Sequence, residues 1–139
     1  LKEYSILYLI INNLDIFRKK IELISEINFS NIPTNNLKKK IIDYLLNEKF
    51  FEKKIIEIND FEEKYRDAIN LINNNAPIKV IYKNKNEDEI IEIFNEITKE
   101  IKKIELNEKI QSLEDRVSVN LDETLYSELL SLRNQLKSG

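Results

Sequence analysis

The side chains that could do chemistry in this chain are carboxylates, lysines and a few aromatics, and their surroundings decide what chemistry is open to them. Adjacent acids stand at Glu62-Glu63 and Asp88-Glu89, the kind of pair that general acid/base or divalent-metal work requires. Isolated acid pairs of this kind are ordinary solvated helix faces, and the chain has no histidine and no cysteine to complete a metal set or a proton relay. The one glycine is Gly139, so neither a glycine-rich phosphate loop nor a nucleophile elbow can be built. No catalytic residue, metal ligand or cofactor-binding residue is assigned, and the chain reads as a non-enzyme.

Basic runs at Arg18-Lys19-Lys20, Lys38-Lys39-Lys40 and Lys83 with Lys85 could touch phosphates. Acids are interleaved with them and the net charge is -3, so contact with nucleic acid is expected to be weak or indirect. The aromatic and apolar pattern near the end of the chain is more informative. Leu125, Leu129, Leu132 and Leu136 recur in alternating four- and three-residue steps, while Tyr126 and Leu130 fall on an adjoining face. A two-helix hairpin cannot bury both faces, so one reading docks Tyr126 and Leu130 on the rest of the molecule and the other makes them a patch for a partner. On the second reading the contact residues are Tyr126, Leu129, Leu130 and Arg133, with Leu113 and Val117 from the preceding helix, because aromatic and arginine side chains anchor interfaces.

The elements that position these residues are helical. Of 139 residues, 42% are hydrophobic and 34% charged, and the only prolines are Pro33 and Pro77, so the punctuation of hairpin-rich β folds is missing. Tyr4, Leu7, Tyr8 and Ile11, broadened by Ile6 and Ile10, predict a largely buried helix over residues 2–12. A second helix is expected over 14–27 behind Asn13, then a loop over 28–36 containing Pro33. Thr34 or Asn36 caps a third helix running through Asn47, the apolar run Phe50 to Ile58 reads as a fourth, and Asp60 caps a fifth that ends at Asn73-Asn74-Asn75. Residues 76–86 form the linker, with Ile78, Val80 and Tyr82 briefly extended.

Asn86 followed by Glu87, Asp88 and Glu89 is a strong helix start, since a capping side chain and three acids complement the positive end of the helix dipole. Ile90, Phe94, Ile97, Ile101 and Ile104 form one seam and Leu106, Ile110, Leu113 and Val117 a second, two residues out of phase. A continuous helix over 87–118 would be about 48 Å long, more than a compact bundle needs, so part of it is expected to protrude. Whether it is continuous near Glu105 is left open. Asn120 and Asp122 break the chain before the last helix, which folds back antiparallel. The expected fold is all-α: a five- to six-helix bundle over 1–85, then a long helix and C-terminal hairpin over 86–139, with the docking arm starting near 106.

Three stretches in this order resemble the C-terminal helicase-interaction domain of bacterial DnaG-type primases: EYSILYLIINNLDIF over 3–17, EINFSNIPTNNLKKKIIDYLL over 26–46, and LEDRVSVNLDETLYSELLSLRNQL over 113–136. Where that family carries His-Pro after its first helix, this chain has Leu14-Asp15. The resemblance implies a non-catalytic module that binds the hexameric replicative DNA helicase and couples priming to unwinding, within a parent protein that is a nucleotidyltransferase. The N-terminal domain of the helicase itself is a competing resemblance but lacks an appended arm. A generic helical adaptor and a single-stranded nucleic-acid accessory domain are the other readings. The arm's seam would also permit a hairpin-swapped homodimer. The apolar run from Ile6 to Ile11 is too short to span a membrane and nothing resembles a signal peptide, so no membrane partner and a cytoplasmic location are expected. That the chain opens on Leu1 rather than Met suggests a segment of a longer protein.

Overall fold

A computed structural model describes residues 2–75, 85–119 and 123–138, and every regular element among them is helical. The seven α-helices are α1 (Lys2–Ile11), α2 (Leu14–Phe17), α3 (Ile21–Ser25), α4 (Ile32–Leu46), α5 (Glu63–Asn75), α6 (Glu87–Val119) and α7 (Glu123–Ser138). Three short 3-10 turns accompany them, at Arg18–Lys20, Glu48–Phe50 and Ile58–Asp60. The chain forms two compact units, Leu1–Thr98 and Lys99–Gly139.

The first unit is organised around α1. Ile6, Leu7, Leu9, Ile10 and Ile11 are fully buried, so this helix is apolar around most of its circumference and must be covered on nearly every side. Phe17, Ile24, Leu37, Ile41, Leu45, Ile69 and Phe94 supply the covering side chains of the same core. The Phe17 and Phe94 rings meet at 4.9 Å between centroids in a tilted geometry. Ile90 and Phe94 thus place the first turns of α6 with the bundle, and the compact unit ends at Thr98 rather than at the expected boundary of 85.

Two asparagines end α1: Asn12 Nδ2 donates to the Tyr8 carbonyl at 2.9 Å and Asn13 Nδ2 to the Leu9 carbonyl at 2.8 Å. The junction of α1 and α2 also binds a distant stretch of backbone, with the Ile56 N–H donating to the Ile11 carbonyl and the Leu14 N–H to the Lys54 carbonyl, both at 2.9 Å. This overturns the expected fourth helix over Phe50 to Ile58. Backbone groups of Lys54 and Ile56 are engaged outside any helix, and of the apolar run only Ile56 is buried, while Phe51 and Ile55 stay exposed.

The expected helix over 14–27 is also corrected. It is interrupted by the 3-10 turn at Arg18–Lys20, and Lys20 leaves helical geometry at φ -122 and ψ 24. The Arg18 guanidinium is committed there: Nε donates to the Leu45 carbonyl at 3.3 Å and Nη2 to those of Phe50 and Lys53 at 3.0 and 3.4 Å. It also lies 5.5 Å from the Phe51 ring centre. One side chain therefore ties the end of α4 to the irregular segment that follows it.

The third helix starts earlier than expected. Asn31, not Thr34 or Asn36, is the cap, with Oδ1 accepting from the Thr34 N–H at 3.1 Å. Pro33 then falls in the first turn of α4, where its missing N–H leaves nothing unsatisfied. Asp60 likewise belongs to a 3-10 turn rather than capping α5, which begins at Glu63. The start of α6 follows expectation. Asn86 Oδ1 accepts from the Glu89 N–H at 2.9 Å, and the Glu89 carboxylate accepts from the Asn86 N–H at 3.3 Å, a reciprocal capping box. The helix is unbroken through the phase change near Glu105, for it contains neither glycine nor proline. The expectations for residues 76–84, including Ile78, Val80 and Tyr82, and for Asn120 and Asp122, lie outside the described residues.

Replacing Arg18 by Met keeps the aliphatic stem and strands three carbonyl acceptors. Urea unfolding should show a loss of about 2–3 kcal/mol, whereas Lys19→Met, at an exposed position, should change stability by less than about 0.5 kcal/mol.

Candidate functional site

The second unit is a helical hairpin with an apolar seam. Ile110 and Leu113 of α6 and Leu129 of α7 form its buried centre, and Leu106, Val117, Leu125, Leu132 and Leu136 pack against it. The four- and three-residue steps of both helices put these side chains on one stripe each, as coiled-coil contacts demand. Only three residues separate α6 from α7, so two helices that share such a seam run antiparallel. Arg133 Nη2 donates to Glu114 Oε1, an ion pair that bridges the two helices beside the seam.

This geometry divides the six expected contact residues. Leu113 and Leu129, at 6% and 2% exposure, are interior, and Val117 is packed against them. They act by holding the hairpin together. Arg133 is half-exposed but already engaged with Glu114, so its guanidinium ties α7 to α6 before it can meet anything else. Tyr126 and Leu130 remain, at 51% and 41% exposure, one helical turn apart on the outside of α7. Ser127, Ser131 and Asn134, residues with short side chains, line the surface beside Leu130. The arrangement is an apolar pair on the outer face of α7.

Three members of the basic runs, Arg18, Lys38 and Lys85, are already engaged within the protein. Arg18 is consumed by carbonyls, and Lys38 is buried, donating to the Ile27 carbonyl with its ammonium 5.9 Å from the Phe29 ring centre. Burial, and then the charge of Lys39, lower the Lys38 pKa from its ordinary value. Lys85 pairs with Glu89 at 3.5 Å, and Lys83 lies outside the described residues. Among the described residues no group of three metal-ligating side chains occurs, and no helix is long and apolar enough to cross a membrane. Glu62 and Glu63 are exposed, while Asp88 and Glu89 serve the start of α6.

Sequence reasoning missed an aromatic cluster between α4 and α5. Tyr44 stacks on Phe50 at 4.2 Å and meets Phe61 edge-on at 5.5 Å; Phe61 in turn meets Tyr65 at 6.2 Å. At its floor, Asp60 Oδ2 accepts from the Tyr44 hydroxyl at 3.0 Å and from the Glu57 N–H at 2.8 Å, while the Lys53 ammonium pairs with the same carboxylate at 3.2 Å. Burial opposes ionisation of Asp60, but these three donors outweigh it and hold the carboxyl below its ordinary value. Burial, and then the bond to Asp60, push the Tyr44 hydroxyl above its ordinary range. The available signal was density: five of the twelve aromatic residues fall within residues 44–65. Helical spacing could not reveal the cluster, because Phe50 and Phe61 lie outside α-helices.

No protein family, curated protein or solved structure matches this chain.

Asp60 is the group whose titration should be visible in stability. Its depressed folded-state pKa favours folding above the ordinary carboxylate value of 3.8, and that contribution is lost as pH falls through the lower folded value. Asp60→Asn should therefore cost about 1–3 kcal/mol at pH 7 and flatten the loss of stability below pH about 4, measured by urea unfolding across pH.

Proposed function

We propose that this chain is the non-catalytic helicase-docking segment of a bacterial DnaG-type primase, with the hairpin of α6 and α7 as the element that meets the hexameric replicative helicase. One observation carries the reading: the hairpin satisfies its own seam with leucines and isoleucine, yet keeps Tyr126 and Leu130 outside it on one face of α7. A helix that spends a tyrosine and a leucine on water, when its core is already complete, has surface to bury against another protein. The order of stretches that resembles the primase domain runs over both units, and the all-helical fold agrees with it.

The division of labour follows from the geometry. Tyr126 and Leu130 supply apolar contact, their short-chained neighbours allow close approach of a partner helix, and Glu114–Arg133 keeps α7 in register on α6. The chain's near balance of charges fits a partner that is protein rather than duplex nucleic acid. Coupling priming to unwinding is then a matter of tethering, a task that needs affinity and no reactive group.

Calorimetric titration of the chain into the replicative helicase of the same organism tests this. Tyr126→Ala with Leu130→Ala should weaken binding at least tenfold while urea stability stays within about 0.5 kcal/mol, as exposed positions allow. Leu129→Ala should weaken binding only together with a loss of about 2–4 kcal/mol from the hairpin. Undiminished affinity in the double variant would remove the assignment of this face.

A further inference from the structure

The outer face of α7 is arranged symmetrically about Leu130. Glu123 stands seven residues before it and Lys137 seven after, and a step of seven returns a helix to within about 20° of the same stripe. Tyr126 stands four residues before Leu130 and Asn134 four after, on the flanks of that stripe. All five side chains are exposed. The face thus has an acid at one end, a base at the other and apolar bulk between them. Neither Glu123 nor Lys137 meets an oppositely charged side chain among the described residues, in contrast to Arg133, which Glu114 holds across the hairpin.

The signs at the two ends also suit the dipole of α7. The dipole asks only for an acid in the first turn and a base in the last, at any position around the helix. It does not require that both share the stripe of Leu130 or stand equally far from it. Two such faces brought together antiparallel about Leu130 set Glu123 of each copy against Lys137 of the other, Tyr126 against Asn134, and Leu130 against Leu130. Packed helices lie about 8–10 Å apart, and each ion pair falls about 10 Å along the axis from the centre, so the shallow crossing of coiled-coil packing lets both pairs close. A parallel arrangement would oppose acid to acid and base to base.

We infer that this face pairs with a second copy of the chain, α7 against α7, in a two-fold antiparallel contact centred on Leu130. Such a contact is isologous and closes at two copies. One helix face buries less than the roughly 1,200 Å² of a stable complex, so the dimer is weak and reversible. It is distinct from an exchange of α7 between hairpins, which would re-form the leucine seam and leave the outer face uncovered. The dimer covers Tyr126 and Leu130 and so competes with helicase docking; that competition rests on the reading above, whereas the self-pairing does not.

Sedimentation equilibrium of the full chain, without helicase, over about 10 μM to 1 mM tests the pairing. The expected result is a monomer–dimer equilibrium with a dissociation constant below about 0.5 mM. Glu123→Lys and Lys137→Glu each place like charges opposite one another at both ends of the contact, and each alone should weaken association roughly fivefold or more. An equimolar mixture of the two variants should associate within about twofold of the unaltered chain, because every pair across the mixed dimer is again opposite in sign. Neither a loss of folding nor an effect on the helix dipole produces that recovery. A monomer at every concentration, association indifferent to both substitutions, or a mixture no tighter than either variant alone would each overturn the inference.

Discussion

Everything in the first unit answers to the burial of α1. A ten-residue helix with Ile6, Leu7, Leu9, Ile10 and Ile11 all removed from water cannot lie on a surface, so the remaining elements have to enclose it. Enclosure also dictates the less regular parts. The carbonyls at the end of α1 need donors, and Asn12, Asn13 and the Ile56 N–H provide them. Because the segment that carries Ile56 must reach that point, it gives up helical geometry, and Arg18 then satisfies carbonyls that this irregular path exposes.

What could be read from the sequence was whatever is decided within one or two helical turns. Asn86 with its three acids announced the start of α6, since both partners of the capping box lie three residues apart. The leucine stripes of α6 and α7 were legible for the same reason, and the all-helical class followed from the scarcity of glycine and proline. Features set by partners far along the chain were not legible. Arg18 looks like part of a basic surface run until its acceptors, 27 to 35 residues away, are known. The run from Phe50 to Ile58 looks helical until its backbone is seen to serve α1 and Leu14. At Pro33 the local signals competed: Asn31, Thr34 and Asn36 can all cap a helix, and only the position of Pro33 in the first turn favours Asn31.

The candidate site was legible in its surplus rather than its detail. Counting apolar positions on α7 showed that a hairpin seam could not use them all, and Tyr126 and Leu130 are the ones left exposed. Counting set Leu129 on the seam and Leu130 beside it, at 2% and 41% exposure, but did not keep the seam residues Leu113, Val117 and Leu129 out of the expected contact set. Nor could it foresee that Arg133 is held by Glu114 across the hairpin. The aromatic cluster escaped for the opposite reason. Its rings come from two helices and the short turns between them, and their meeting is a property of the fold alone.

The measurement that tests the account most directly is amide hydrogen exchange of the full chain, alone and with the replicative helicase of the same organism in excess. Protection gained in Glu123–Ser138, with little change over residues 2–75, is the result the hairpin-docking account predicts. Protection confined to residues 2–75, or no gain anywhere at helicase concentrations above 100 μM, would contradict it.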